Sequence, residues 1–224
     1  AQFDKVDVKE FAVPQTKLEA AYQTLPSNLK DALATAKANI TSFHQQEIEN
    51  GFADLTTPGV VRGQKVTPLA RVGLYVPGGT AAYPSTILMN AIPAKLAGVG
   101  KLVMVTPPQR EGISQTVLAA AYLAGVDAVY QVGGAQAIAA LAYGTESIPQ
   151  VDKIVGPGNI FVATAKQQVF GQVAIDMVAG PSEIGIIADG NANPDEVASD
   201  LLSQAEHDRR ARAMLVTDSV ELAE

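Results

Sequence analysis

Val72-Gly73-Leu74-Tyr75-Val76-Pro77-Gly78-Gly79 is a short apolar run that breaks directly into proline and glycine. A run of this length, bounded by turn residues, reads as a buried strand that ends in a loop. The same pattern recurs downstream. Leu102–Thr106 runs into Pro107-Pro108, Ala128–Val132 into Gly133-Gly134, and Ile154–Val155 into Gly156-Pro157-Gly158-Asn159. Stretches with helical spacing separate these runs and predict helices over Pro84–Leu96, Gly112–Ala124, Ala135–Tyr143 and about Ile160–Phe170. Two more strands are predicted at Ile184–Ala188 and Met214–Thr217. Strands and helices in strict alternation are the signature of βαβ units and a parallel sheet. Right-handed crossovers then put every strand C-terminus on one edge, where open α/β sheets bind ligands. The glycines fall on that edge. Any single glycine loop is explained as well by turn geometry, but three together favour a ligand crevice.

Upstream, Pro26–Gly51 is predicted as one helix, with Ser27 as cap, Leu29, Leu33, Ala36, Ile40 and Phe43 as its apolar stripe, and Gly51 as its stop. Thr56–Leu69, rich in Pro, Gly and Val, suits an extended connection or a short hairpin. Downstream, Asn193-Pro194-Asp195-Glu196 opens a helix in which asparagine caps, proline takes the first position and two acids meet the positive dipole end. It continues to Ser203-Gln204-Ala205-Glu206-His207, so Gln204 and His207 share a face of its last turn.

Composition narrows the function classes. Hydrophobic residues make up 47% and charged residues 17% of the 224, enough for a packed core and unlike a disordered chain. A net charge of −7 argues against a nucleic-acid surface. With no cysteine, disulfides, thiolate metal sites and cysteine nucleophiles are excluded from these residues, which fits a cytoplasmic location. No apolar run approaches the roughly 20 residues a membrane helix needs. Neither end has the look of a natural terminus, so a fragment is expected. The dinucleotide fingerprint is absent: its nearest match, Gly156-Pro157-Gly158-Asn159-Ile160-Phe161, has Phe where the third glycine belongs. Of the two histidines, His44 reads as a half-solvated surface residue, and His207 by itself as a charge complement to a helix end. A glutamine and a histidine cannot complete a zinc site, which generally takes three protein ligands.

Taken together, Val72–Gly79, Val132-Gly133-Gly134-Ala135-Gln136-Ala137-Ile138-Ala139-Ala140-Leu141, Ile154-Val155-Gly156-Pro157-Gly158-Asn159, Asp176-Met177-Val178-Ala179-Gly180-Pro181-Ser182-Glu183 and Ala198–His207 resemble histidinol dehydrogenase, in that family's order. The resemblance implies an oxidoreductase that takes L-histidinol through L-histidinal to L-histidine, the last steps of histidine biosynthesis, with NAD and zinc (Zn2+) as cofactors. It implies that Tyr75, Gln136 and Asn159 contact NAD, that Ser182, Gln204 and His207 contact substrate, and that Gln204 and His207 hold zinc. It also implies a catalytic Glu-His pair and further zinc ligands beyond Glu224, so that the chain by itself is expected to be inactive. The implied fold is α/β: two Rossmann-like domains with mainly parallel sheets, one inserted in the other, of the aldehyde dehydrogenase-like group. Residues 72–180 would form the NAD-binding domain, and 1–71 with 181–224 the other, incomplete one. A homodimer is implied, with neither nucleic acid nor membrane as partner. The alternatives are a nucleotide-binding α/β module and an aldehyde dehydrogenase-like protein without zinc. The second needs a cysteine nucleophile that is missing from these residues.

Overall fold

A computed structural model describes residues 6–78, 83–178, 183–206 and 211–223. The chain divides into two compact units, Ala1–Val178 and Ala179–Glu224.

The first unit opens with β1 (Ala12–Val13), α1 (Gln15–Gln23) and α2 (Ser27–His44), and α2 runs on into a 3₁₀ turn at Gln45–Glu47. β2 (Phe52–Asp54) and β3 (Arg62–Gln64) form an antiparallel hairpin. Then come β4 (Arg71–Tyr75), α3 (Pro84–Leu96), β5 (Lys101–Thr106), α4 (Gln115–Ala124), β6 (Ala128–Gln131), α5 (Gly134–Tyr143), β7 (Lys153–Val155), α6 (Ile160–Val169) and β8 (Ala174–Ile175). The main sheet has the order β1-β6-β5-β4-β7-β8. From β6 to β8 every pairing is parallel, and β1 adds an antiparallel edge on β6. The expected α/β architecture with a mainly parallel, Rossmann-type sheet is therefore present.

Burial follows from the period-two alternation of the strands. Val72, Leu74 and Val76 of the β4 segment, with Leu102 and Met104 of β5, face one side and pack with Ile87, Leu88, Leu118 and Ala121 of α3 and α4. Tyr75, Val103 and Val105 face the other side and pack with Ile138 and Leu141 of α5 and Val162 and Ala165 of α6. Both faces are thus covered, which is why these strands are near-continuous apolar runs rather than alternating ones.

Val13, Leu18, Leu25 and Leu33 belong to the first of these cores. β1 pairs with the edge of the sheet at β6, and α1 and α2 lie against α4 and α3. The expected Pro26–Gly51 helix is shorter than its pattern. Pro26 takes the cap position with no side-chain cap bond, so Ser27 is the first helical residue rather than the cap. Of the stripe, Leu33 is buried, whereas Leu29 and Phe43 are exposed. The hairpin expected between Thr56 and Leu69 forms slightly earlier, over Phe52–Gln64. Asp54 braces it, accepting from the Thr56 hydroxyl at 2.7 Å, the Thr56 amide at 2.9 Å and Arg62 at 2.6 Å. The Thr56 hydroxyl first, then its amide, hold the Asp54 carboxyl below its ordinary pKa. The helix expected from Gly112 starts at Gln115.

The second unit is a βαβ unit: β9 (Glu183–Ile187), α7 (Pro194–Ala205) and β10 (Arg212–Val216), followed by the short α8 (Val220–Ala223). β9 and β10 pair in parallel. As expected, Asn193 caps α7, its side chain accepting from the Asp195 amide at 3.0 Å. Among the described residues of this unit only Val197 is buried.

Candidate functional site

In the order β6-β5-β4-β7-β8 the chain starts in the middle, moves outward through β5 and β6, then returns across β4 to β7. The segment leaving β4 leads to α3, on the face covered by α3 and α4, and the segment leaving β7 leads to α6, on the opposite face. Two adjacent loops that part in this way open a crevice at the strand C-termini. This is the topological switch point at which doubly wound sheets bind ligands.

Four loops meet there. Gly133 lies so close to Pro107 that a Cβ would collide with the proline ring, so the loops after β5 and β6 touch. A Cβ on Gly78 would stand 3.2 Å from Pro107 Cβ and 3.4 Å from Gln109 Nε2, which brings in the loop after β4. Gly156 has φ +110, a conformation open to glycine and strained for other residues, and a Cβ there would collide with the Tyr75 carbonyl oxygen. The loop after β7 therefore lies directly against the end of β4.

Tyr75 sits under this junction. Its ring is buried in the core shared by α5 and α6, and its hydroxyl oxygen accepts a hydrogen bond from the Gly134 amide at 3.0 Å. Gln136 is exposed in the first turn of α5, with its amide beside Gly134. Asn159 is exposed at the start of α6, where its Oδ1 accepts from the Phe161 and Val162 amides, each at 3.1 Å. That leaves Nδ2 as the end of the side chain oriented away from capping, a donor suited to a ligand oxygen. All three residues named as cofactor contacts are thus on the C-terminal edge of one sheet, two of them exposed and one buried beneath.

Behind this edge lies a charged pair that the sequence pattern does not reveal. Lys166 of α6 is 2% exposed. Its Nζ donates to the Gly156 carbonyl at 3.1 Å and pairs with the Asp176 carboxylate. Asp176 in turn accepts from the Gly156 amide at 2.8 Å and from the Met177 amide at 2.7 Å. A lysine inside a helical period reads as a surface residue, so only its burial marks it.

In the second unit, the Nε2 atom of Gln204 is buried without a hydrogen-bond partner. Amide nitrogen and oxygen are interchangeable by a flip of the group. Gln204 thus holds a buried polar end without a hydrogen-bond partner among the described residues. Ser182 and His207, the other substrate and metal positions, lie outside the described residues. Among the described residues no cluster of three or more His, Asp or Glu could hold a metal by itself. His44 makes a 2.5 Å contact with Glu47 and stands edge-on to Phe43, in keeping with a local surface role. No helix among the described residues is long and apolar enough to cross a membrane.

A sequence model of the histidinol dehydrogenase family matches residues 1–224. The chain is 70% identical over its whole length to the histidinol dehydrogenase of Lactiplantibacillus plantarum, covering 52% of that protein. It is 60% identical to that of Streptococcus mutans, again over the whole chain and 52% of the relative. In the crystal structure of histidinol dehydrogenase from Elizabethkingia anophelis, 99% of this chain superposes on 52% of that one, with a TM-score of 0.90 and 42% identity. The chain spans about half the length of the curated relatives it matches.

Proposed function

The chain belongs to the histidinol dehydrogenase family, and from that premise we propose that it carries the NAD-binding edge and part of the zinc and substrate site of an enzyme oxidising L-histidinol through L-histidinal to L-histidine. The observation that carries this is the β4–β7 switch point, with Asn159 exposed after β7, and Tyr75 buried at the end of β4 and bonded to the loop that leads to Gln136.

On this proposal Asn159 Nδ2 and the Gln136 amide hold polar groups of the cofactor at the two helix starts, where backbone amides and the positive dipole end favour phosphate oxygens. Tyr75 keeps the start of α5 in place through the Gly134 amide. Gln204, with its unpartnered buried amide, would hold the metal or substrate together with His207, and Ser182 would contact substrate. The donor set fits zinc only in part, since an amide oxygen and one imidazole fall short of the usual three protein ligands. Bound zinc would supply an orienting charge and Lewis acidity. NAD, when bound, would supply the hydride acceptor, and the work of the protein would be to hold it against the carbinol carbon. Removing the alcohol proton and activating water for the second oxidation require a base. No residue among these 224 is assigned that task, and the chain by itself is proposed to be inactive. A cytoplasmic homodimer, with residues 1–71 and 181–224 completing a second Rossmann-like domain around 72–180, is part of the same proposal.

The test is calorimetric titration of NAD+ into the complete protein carrying this sequence, alongside its zinc content. Asn159→Ala is expected to weaken NAD+ at least tenfold without loss of zinc, and Gln204→Ala to lower zinc content without weakening NAD+. Unchanged NAD+ affinity in Asn159→Ala would refute the cofactor edge.

A further inference from the structure

Gly156 stands at the turn out of β7, where the candidate crevice opens. It lies against the Tyr75 carbonyl, its φ is +110, and it stands three residues before Asn159. Both of its hydrogen-bonding groups face away from the sheet ladder and end on charged side chains: the N–H on Asp176 Oδ2 at 2.8 Å, the C=O on Lys166 Nζ at 3.1 Å. Those side chains are themselves an ion pair, with Lys166 2% and Asp176 28% exposed.

A buried lysine is costly to keep charged unless its partners fully satisfy it. Here one partner is a carboxylate and the other is the loop carbonyl. The pair therefore fixes two successive peptides: turning the Val155–Gly156 unit over would set the Val155 carbonyl toward the Asp176 carboxylate, and turning the Gly156–Pro157 unit over would take the Gly156 carbonyl from the Lys166 ammonium and offer no N–H in exchange, since Pro157 has none. A core position filled by leucine or methionine would pack α6 equally well, without specifying that orientation. Asp176 also closes the loop from behind, since its Oδ1 receives the Met177 amide at 2.7 Å. One carboxylate thus ties the segment leaving β8 to the segment leaving β7.

We propose that Lys166 and Asp176 are positioning residues that lock the two peptides flanking Gly156 and thereby set Asn159, the cap of α6, for the dinucleotide. This rests on the assignment of NAD to the β4–β7 crevice. The pair touches no cofactor or substrate. It acts through the loop, so its loss changes cofactor affinity out of proportion to stability.

The experiment uses the complete protein, with NAD+ as the titrant and thermal melting measured on the same samples. Lys166→Met combined with Asp176→Asn leaves no unpaired charge inside, so folding is retained, and Asp176→Asn alone keeps an acceptor for the Gly156 amide. Leu88→Ala, on the opposite face of the sheet, provides a destabilised control. The double variant is expected to bind NAD+ at least tenfold more weakly, with its KM for NAD+ raised more than its kcat is lowered, and Asp176→Asn is expected to fall between it and the parent. Leu88→Ala is expected to melt lower and bind NAD+ as the parent does. If the double variant binds NAD+ as tightly as the parent while Asn159→Ala does not, the positioning role is overturned and the cofactor edge stands. If Asn159→Ala also binds as the parent does, the cofactor assignment fails and the positioning role falls with it.

Discussion

The two units follow the same strand–helix–strand rule and reach different degrees of completion. In the first, both faces of the sheet are covered by helices, and Leu102, Met104, Ile138, Leu141 and Ile154 are sealed from solvent. In the second, β9 and β10 make a sheet of two strands, and Ile187 is 87% and Val216 62% exposed. A parallel sheet is stable when helices cover both faces, and a lone pair of strands rarely is. The edge proposed to bind the cofactor thus stands on a finished core, and the Gln204 end on a scaffold whose apolar side chains face outward. Function that needs a rigid frame is already framed in one unit and still dependent on further packing in the other.

The comparison breaks most visibly if the units are separated. Residues 6–178 expressed alone are expected to unfold in one cooperative transition, and residues 183–223 alone to show none, as followed by circular dichroism on heating. A cooperative melt of the smaller piece would mean that its few internal contacts suffice. Next in size, Leu141→Ala should cost about 2–5 kcal/mol in urea denaturation, the usual range for emptying a sealed core site, whereas Ile187→Ala should change the same curve by no more than about 0.5 kcal/mol. Equal effects would erase the contrast. A finer distinction lies in the caps. Asn159→Ala and Asn193→Ala each remove a side-chain cap worth about 1 kcal/mol, but the first should also weaken the dinucleotide and the second should not. The smallest effect concerns the hairpin. The Asp54 carboxyl is held below its unfolded value by Thr56, so its bracing is present above the ordinary carboxylate range and lost as pH falls through the lowered value. An NMR titration should find the Asp54 transition shifted down, and Thr56→Val should return it toward the usual range.

Much of this was readable in advance, for local reasons. Short apolar runs that stop at Pro107, Gly133 and Gly156 announce strands ending in loops, and Asn193-Pro194 announces a capped helix, because turn and cap chemistry resides in single residues. Strand order is different. That β7 returns beside β4 is a choice among non-local pairings, and no nearby residue records it. The two-residue strands β1 and β8 carry too little pattern to stand out, and α1 hides its buried face in a stretch that is mostly polar on average. At the candidate site, Tyr75, Gln136 and Asn159 are proposed from whole motifs rather than from their immediate neighbours. Lys166 escaped because its meaning lies in what surrounds it: a lysine reads as solvent-facing until the Gly156 carbonyl after β7 and the Asp176 carboxylate after β8, ten residues to either side, are brought to its end.

The brevity of β1 and β8 has its own consequence. They are the margins of the six-stranded sheet, and each is only two residues long. A margin that short offers an incoming chain almost no row of amides and carbonyls to copy, which is how proteins discourage one molecule from adding itself to the next. β9 and β10 are five residues each, longer rows than either margin, and among the described residues Ile187, Met214 and Val216 are exposed on them. Any tendency of this chain to associate in solution is therefore expected to begin at those two strands, while the larger sheet stays out of it.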